Sequence, residues 1–405
     1  MLMQDYLGLN PCQPIRESVS ILVGSNGSGK SSFLRDLAVS QRGDRDIVIV
    51  CNTPHDRFIG LTGVRRMSAG KPSGSPRSIV KNVVAHSLAT SSSAFYQLGS
   101  TLEYCGYGAR FGFRMDPSAL YGSSFDEVLS SIQGNNAPPS RFFWQEKKDM
   151  ELAFSFLQRH NPSELVWIDS SKSALEFSRA REFASVLKYE SSLRAWKVLR
   201  GIHVYLERID DGAVIEMQHA SSGQLALISS LLFMIANSGI NPIVIIDEPE
   251  NSLHPKWQRE YIRNITTALS YRNATIIIAT HAPLLVTGAL SHNPELISVF
   301  QVRDGYPQRL QIDFEGSSTG SIEEILWRAF EVVTPANHFL SEQIVDEVTR
   351  FEKGEVTKEE VLALIHRMEN KSFDKRQQDF FKAVRGLLDQ VEAGQGKNSV
   401  MNDDR

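Results

Sequence analysis

The sequence predicts an α/β fold: a head built on a parallel sheet, interrupted by an inserted, mainly helical lobe and followed by a C-terminal helical extension. Three short apolar runs rich in β-branched residues, at 18–23, 243–246 and 274–279, indicate strands of that sheet. A glycine-rich loop follows the first run, and polar residues follow the other two. The expected boundaries are 1–60 and 201–315 for the head, 61–200 for the inserted lobe and 316–405 for the extension.

The composition is that of a soluble globular chain. Of 405 residues, 22% are charged and 41% are apolar, and the net charge of −4 carries no overall nucleic-acid signature. Three cysteines lie far apart without a C-x-x-C pair, which argues against a disulfide framework or a zinc site. The N-terminus lacks a signal-peptide pattern, and the longest apolar run, at 225–236, is too short to cross a bilayer. We therefore expect a cytoplasmic protein with no membrane partner.

The segment after the first strand has the pattern of a phosphate-binding loop. Residues 24–31 match every position of G-x-x-x-x-G-K-S, and residues 32–38 have the period of a helix. The glycines let backbone N–H groups turn inward around phosphate oxygens, and the helix N-terminus adds partial positive charge. Lys30 should reach the β- and γ-phosphates of ATP, and the Ser31 hydroxyl should bind Mg²⁺. The alternative is a plain glycine-rich turn. The predicted ATP-binding residues here are Gly24, Ser25, Asn26, Gly27, Ser28, Gly29, Lys30, Ser31 and Ser32.

Two adjacent carboxylates follow the strand at 243–246. Ligands bind at the carboxyl ends of strands in α/β proteins, so Asp247 is expected to hold Mg²⁺ beside Ser31. Glu248 projects differently and can polarise a water for in-line attack on the γ-phosphate. Asp-Glu-Pro alone could equally be an acidic turn, but the phosphate loop favours the catalytic interpretation.

A histidine follows the strand at 274–279. The spacing from Asp247 to His281 is enough for a helical crossover and the next parallel strand. We therefore expect His281 one strand away from Glu248, as a hydrogen-bond donor near the γ-phosphate. A purely structural histidine is the alternative.

A serine turn precedes the carboxylates. It follows a predicted hairpin, 203–209 and 213–217, joined at Asp211-Gly212. Ser221 and Ser222 are expected to cap a helix over about 223–236. A plain helix cap would explain this turn in isolation; its order between the phosphate loop and the carboxylates favours a role in ATP binding.

Taken together, these motifs resemble the head of an ABC-type ATPase. Residues 247–255 (DEPENSLHP) and 280–283 (THAP) are similar to the branch that contains RecF, SMC-type heads and OLD-family ATPases. The resemblance implies catalytic roles for Glu248, His281 and Lys30. It also implies a homodimer or higher even oligomer whose heads sandwich ATP, with residues 251–254 at the interface. The residues that would contact ATP held by another subunit are Ser221, Ser222, Gly223 and Gln224.

Within that branch, the chain resembles the ATPase subunit of Septu-type and retron-linked antiviral defence pairs. The chain length, the segment 52–58 and the short tail carry this narrower resemblance. It implies control of a separate effector, a nuclease by expectation. A DNA-repair ATPase that acts directly on DNA and the motor of a transporter are the alternatives.

The sequence departs from the family pattern in two ways. No glutamine sensor follows the strand at 46–51, where His55 or Asp56 could substitute. After His281 there is no Glu and Asp-x-Asp cluster of the kind found in OLD nucleases, so this chain is not expected to cut nucleic acid itself.

The inserted lobe offers two basic segments that could contact nucleic acid. Residues 65–81 hold five basic residues and no acids in a predicted flexible loop, although a solvated loop is the alternative. Arg194, Lys197 and Arg200 recur on a predicted helix beside Trp196, where a plain charged surface is equally compatible. Residues 135–140 are expected to form a loop.

The extension is expected to be helical over 322–330, 357–368 and 373–391, and to serve in docking or assembly or as a cap on the head. The polar tail at 393–405 is expected to be disordered.

Overall fold

The structure is a computed structural model that describes residues 7, 9, 17–68, 75–90, 94–132, 142–170, 179–251, 253–310, 322–330 and 338–369, with 381, 382, 384–386, 388, 389 and 392. The strands are β1 (Ser18–Val23), β2 (Ile47–Cys51), β3 (Arg65–Ser68), β4 (Tyr107–Pro117), β5 (Val166–Asp169), β6 (Leu199–Arg208), β7 (Val214–Glu216), β8 (Ile243–Asp247), β9 (Thr275–Thr280), β10 (Ile297–Arg303) and β11 (Tyr306–Arg309).

The helices of the described residues are α1 (Lys30–Ser40), α2 (Pro76–Thr90), α3 (Ala94–Tyr104), α4 (Phe125–Ile132), α5 (Phe142–Arg159), α6 (Ala180–Lys188), α7 (Glu190–Ala195), α8 (Ser222–Asn237), α9 (Pro255–Ala268), α10 (Pro283–His292), α11 (Ile322–Phe330), α12 (His338–Glu352) and α13 (Lys358–Glu369).

The main sheet is parallel except at one edge, which confirms the predicted α/β fold. Within the described residues its strand order is β11-β10-β1-β9-β8-β2-β3, and only β11 runs antiparallel to its neighbour. Val23 is in register with Thr280, and Asp247 with Ala279. The carboxyl ends of β1, β9 and β8 therefore meet at one edge, which is where the polar residues predicted from the sequence stand.

The main sheet is buried on both faces, because successive side chains of a strand point to opposite sides. Ile245 and Ile277 pack with Leu34 on the face covered by α1. Ile246 and Ile278 point the other way, into a larger cluster that includes residues of α8, α9 and α10. Burial of each such side chain contributes roughly 2 kcal/mol to stability. The strands that position the site are consequently held from both sides.

A second, antiparallel sheet joins strands β4 and β5, from the part expected to be the inserted lobe, to β6 and β7, which lie almost entirely in the part expected to be the head. Its order is β5-β4-β6-β7. The hairpin expected from Asp211-Gly212 is present, with Glu207 paired to Val214, whereas β4 and β5 were not predicted. One face of β4 is buried through Phe111, Phe113 and Met115. The lobe is otherwise helical, and β3 lies in the main sheet although its residues fall beyond position 60.

The two basic segments differ from expectation. Residues 65–81 do not form one flexible loop: Arg65–Ser68 is strand β3, α2 begins at Pro76, and only 69–74 lie outside the described residues. Most of the basic side chains described in this segment are paired with other groups. For example, Arg66 forms an ion pair with Asp56 at 3.2 Å, and Lys81 forms one with Glu190. These contacts leave less positive charge available for nucleic acid than the sequence suggested.

The predicted basic helix face does not form. The helix α7 ends at Ala195, so only Arg194 lies on it. Lys197 adopts a left-handed backbone (φ 57°) and Arg200 lies in β6. The three side chains are exposed, but they do not share a helical surface.

The C-terminal extension contains the helices expected at 322–330 and 357–368. Ile325 and Ala329 of α11 join the core of the head. The helices α12 and α13 build a separate apolar cluster, which includes Ile344 and Ile365. The predicted loop at 135–140, the tail at 393–405 and most of the predicted helix at 373–391 lie outside the described residues. No helix in the described part of the chain is both long and apolar enough to cross a membrane.

Candidate functional site

The glycine loop joins the end of β1 to the start of α1, as predicted, and its glycines are sterically required. Gly29 has φ +96°, and a Cβ there would lie 2.7 Å from the Cα of Gly305. A Cβ at Gly24 would lie 2.8 Å from the carbonyl oxygen of Val302. The Gly305 N–H also donates to the Ser28 carbonyl at 2.8 Å. The turn between β10 and β11 thus supports the loop from behind, a contact that the sequence analysis missed.

Lys30 lies folded against the loop. Its ammonium donates to the carbonyl oxygens of Gly24 at 2.7 Å and Ser25 at 3.0 Å. Burial lowers the pKa of Lys30, and the charges of Glu248, Glu250 and Asp247 oppose that shift. A buried ammonium held by two neutral carbonyls is well placed to exchange them for anionic phosphate oxygens.

Ser31 and Asp247 lie together, as expected of a metal site. The Ser31 hydroxyl donates to Oδ1 of Asp247 at 3.0 Å. Asp247 is fully buried, and its Oδ2 has no hydrogen-bond partner among the described residues. Burial raises the pKa of Asp247 to about 6, against the lowering effect of the Ser31 hydrogen bond. An unsatisfied buried carboxylate oxygen is costly. Its position beside a hydroxyl fits Mg²⁺, which prefers oxygen ligands.

Glu248 stands at the end of β8 in a conformation that is unfavourable for a residue with a side chain. Its φ is +50°, in the left-handed region, and its N–H donates to the Ala279 carbonyl at 2.9 Å. Such strain persists only where the surroundings enforce it, and it is common at functional sites. The Asn251 amide donates to Oε2 of Glu248 at 3.3 Å. The carboxylate is thereby oriented yet remains partly exposed.

His281 lies one strand away from Glu248, as the spacing predicted. Its Nδ1 is 3.8 Å from Oε1 of Glu248 and 3.0 Å from Oε1 of Glu250. The backbone N–H of His281 also donates to Oε1 of Glu250 at 2.6 Å. Glu250 was not among the predicted site residues. The third acidic residue of Asp-Glu-Pro-Glu was the available signal.

The serine turn caps α8, as predicted. The Ser221 hydroxyl accepts from the Gln224 N–H at 3.2 Å, and the Gln224 side chain accepts from the Ser221 N–H at 3.1 Å. Gln224 also binds Tyr107 and Cys105. None of the hydrogen bonds that the described residues make at this turn runs to the phosphate loop or to the carboxylates.

Open space lies beside the serine turn. A groove of about 610 Å³ is lined by Arg208, His219 and Ser221, among others. Ser222 and Gly223 follow at the first positions of α8, where backbone N–H groups lack intrahelical partners. The structure therefore brings the loop, the carboxylates and His281 together, and leaves the serine turn facing its own groove.

The two candidates for a missing glutamine sensor differ in their contacts. Asp56 accepts from the Phe58 N–H at 2.8 Å and also binds Ser68 and Arg66. These bonds hold the loop after β2 against β3, which leaves Asp56 little capacity for a ligand. His55 is exposed.

A phosphate loop followed by a buried aspartate and an adjacent, partly exposed glutamate, on a parallel sheet of this order, is the arrangement of a P-loop ATPase site. Residues 139–287 match the family model "AAA domain, putative AbiEii toxin, Type IV TA system". This segment is therefore similar to an AAA-family ATPase domain, which confirms the resemblance drawn from the sequence. The matched segment includes the serine turn, both carboxylates and His281, and it begins after the phosphate loop.

Three relatives are similar to parts of the chain. "Retron Vc95 probable ATPase" of Vibrio cholerae serotype O1 biovar El Tor is 26% identical over 200 residues, 46% of this chain and 34% of the relative. "Protein ea59" of Escherichia phage lambda is 22% identical over 273 residues, which are 66% of this chain and 46% of the relative. "Septu protein PtuA" of Bacillus thuringiensis is 30% identical over 112 residues, which are 28% of this chain and 27% of the relative. The chain thus spans less than half the length of each relative.

Among solved structures, the Smc head domain bound to the C-terminal domain of ScpA, from Pyrococcus furiosus, matches with a TM-score of 0.29 and 13% identity. The match covers 75% of this chain and 92% of that one.

Proposed function

We propose that this protein is an ATP-hydrolysing switch: two heads close on ATP, and closure controls a separate effector, a nuclease, in cytoplasmic antiviral defence. One observation carries the proposal. The parts needed to bind and cleave ATP meet at one sheet edge, while the serine turn is separate and faces an open groove. A complete site is then formed from two half-sites on different subunits.

The chemistry follows from the residues at the sheet edge. Phosphoryl transfer depends mainly on positioning and charge neutralisation. Lys30 exchanges its two carbonyl partners for β- and γ-phosphate oxygens. Ser31 and Asp247 would hold Mg²⁺, which when bound neutralises charge on the β- and γ-phosphates. Glu248 orients a water and takes up its proton as the water attacks, and His281 donates a hydrogen bond to the γ-phosphate.

The second half-site is the start of α8. The Ser221–Gln224 cap fixes the first turn of the helix, and the N–H groups of Ser222 and Gly223, which lack intrahelical partners, are the kind of donors that bind an anion. In the proposed dimer, Ser221, Ser222, Gly223 and Gln224 of one head contact the γ-phosphate held by the other. The closed state then requires ATP between the heads, so hydrolysis opens it.

The defence role is supported by the names of two relatives, a retron ATPase and PtuA of Septu, and the effector is an expectation from the resemblance drawn from the sequence. The test is co-purification of the full chain from its native operon, with mass spectrometry of bound protein and nucleic acid. We expect a stoichiometric nuclease. Nucleic acid bound to the chain with no nuclease would contradict the proposal and favour a DNA-repair ATPase. A permease in its place would favour a transporter motor.

A further inference from the structure

The carboxylate of Glu250 holds His281 at two points. Oε1 accepts the backbone N–H of His281 at 2.6 Å and lies 3.0 Å from the ring Nδ1. One oxygen thus contacts both the main chain and the side chain of the same residue. If the ring turned away from Glu250, it would lose this 3.0 Å contact between Nδ1 and Oε1.

This carboxylate is buried, and its charge acts on Lys30 as well as on His281. The Glu250 side chain is 4% exposed, and its Oε2 is buried with no hydrogen-bond partner among the described residues. A buried carboxylate with a free oxygen is destabilising compared with an amide or an apolar group of the same size. The charge is therefore explained by its interactions within the site, the contact with His281 and the longer-range attraction to Lys30, and not by the stability of the fold.

The position of the ring also matters for Glu248. Nδ1 lies between two carboxylates, 3.0 Å from Glu250 and 3.8 Å from Glu248. A carboxylate only accepts hydrogen bonds, so the contact with Glu250 is favourable when Nδ1 carries a proton. The ring nitrogen lies closer to Glu250 than to Glu248, which leaves the Glu248 carboxylate available to bind a water. Nε2, on the other edge of a ring that is 42% exposed, is left to face a ligand.

We propose that Glu250 is a positioning residue for ATP hydrolysis. It anchors His281 through the backbone N–H and Nδ1, directs Nε2 to the γ-phosphate, and keeps the ring from pairing with Glu248. The proposal rests on the proposed function of Glu248 and His281. In the ATP-bound state the ring donates from both nitrogens, and the carboxylate and the phosphate balance its charge.

The first test is Glu250→Gln in the full chain. The amide fills the same space but lacks the charge, and it can equally donate to Nδ1. We expect kcat for ATP hydrolysis to fall about 10- to 100-fold, the range seen when outer partners of functional histidines are removed, with KM within about twofold. Glu260→Gln, which removes a partly buried partner of Arg263 on α9, is the matched control and should retain the parent rate. An unchanged kcat in Glu250→Gln would overturn the proposal.

The second test asks whether Glu250 acts through His281. If it does, adding Glu250→Gln to His281→Ala should lower the rate no further. If the two residues act independently, the fold-losses of the two single variants should multiply in the double variant. A multiplied loss contradicts the proposal.

A third measurement does not depend on activity. The ¹⁵N spectrum of the histidine ring, assigned by its absence in His281→Ala, should show a proton on Nδ1 in the parent and its transfer to Nε2 in Glu250→Gln. If the parent hydrolyses no ATP, the proposed function fails, and this spectrum alone decides the role of Glu250. An unchanged spectrum overturns that role.

Discussion

Lys30→Ala is expected to raise the dissociation constant for ATP at least about 100-fold. Hydrogen bonds between charged groups contribute about 1.5–3 kcal/mol each, so losing those to two phosphates removes about 3 kcal/mol or more. The substitution also leaves the carbonyls of Gly24 and Ser25 without their donor, which loosens the loop itself. Isothermal titration of ATP in the presence of Mg²⁺ measures the effect.

Arg35→Ala is the matched control for Lys30→Ala. Arg35 lies on the same helix, α1, and is exposed. Its removal also deletes one positive charge from that helix but should leave ATP affinity unchanged. If Lys30→Ala binds ATP within about threefold of the parent, the glycine loop is not the phosphate site.

Glu248→Gln is expected to slow ATP hydrolysis about 10²- to 10⁴-fold while ATP affinity stays within a few-fold of the parent. The amide keeps the shape of the side chain and can still contact Asn251, but it cannot take the proton of the attacking water. ATP should therefore remain bound and hold the heads together. Phosphate release measures the rate, and sedimentation with and without ATP measures the association.

Two results would contradict the assignment of Glu248. Hydrolysis at the parent rate would mean that another group accepts the proton. Loss of ATP binding would mean that the substitution disturbs the loop, since the backbone of Glu248 is strained (φ +50°) and close to Asp247. The melting temperature of the variant separates this second case from unfolding.

The ATP half-site could be predicted because its parts are encoded locally. The G-x-x-x-x-G-K-S loop specifies its own turn, and the strands before Asp247 and His281 are continuous apolar runs of the kind buried in a parallel sheet. Ser221 likewise has its capping partner, Gln224, three residues away. Such short-range patterns can be recognised in a sequence without knowledge of tertiary contacts.

The missed features depend on contacts between distant parts of the chain. Strand β4 pairs with β6, whose sequence lies almost a hundred positions further on, although the alternation of Phe111, Phe113 and Met115 with polar or small residues was a usable signal. Gly305 supports the phosphate loop from far along the sequence. The prediction of a basic helix face was wrong for a local reason. The left-handed backbone at Lys197 ends the helical path before Arg200.

The central claim is that ATP is held between two subunits, and mixing two inactive variants tests it most directly. A Lys30→Ala chain lacks a working phosphate loop, and a Ser221→Arg chain carries a blocked serine turn. Each should be nearly inactive alone. In a mixed dimer, one site combines the intact loop of one chain with the intact turn of the other. Random mixing should therefore restore about a quarter of the parent ATPase rate. No recovery, from chains that fold and form mixed oligomers, would show that the turn serves its own subunit and would contradict the account.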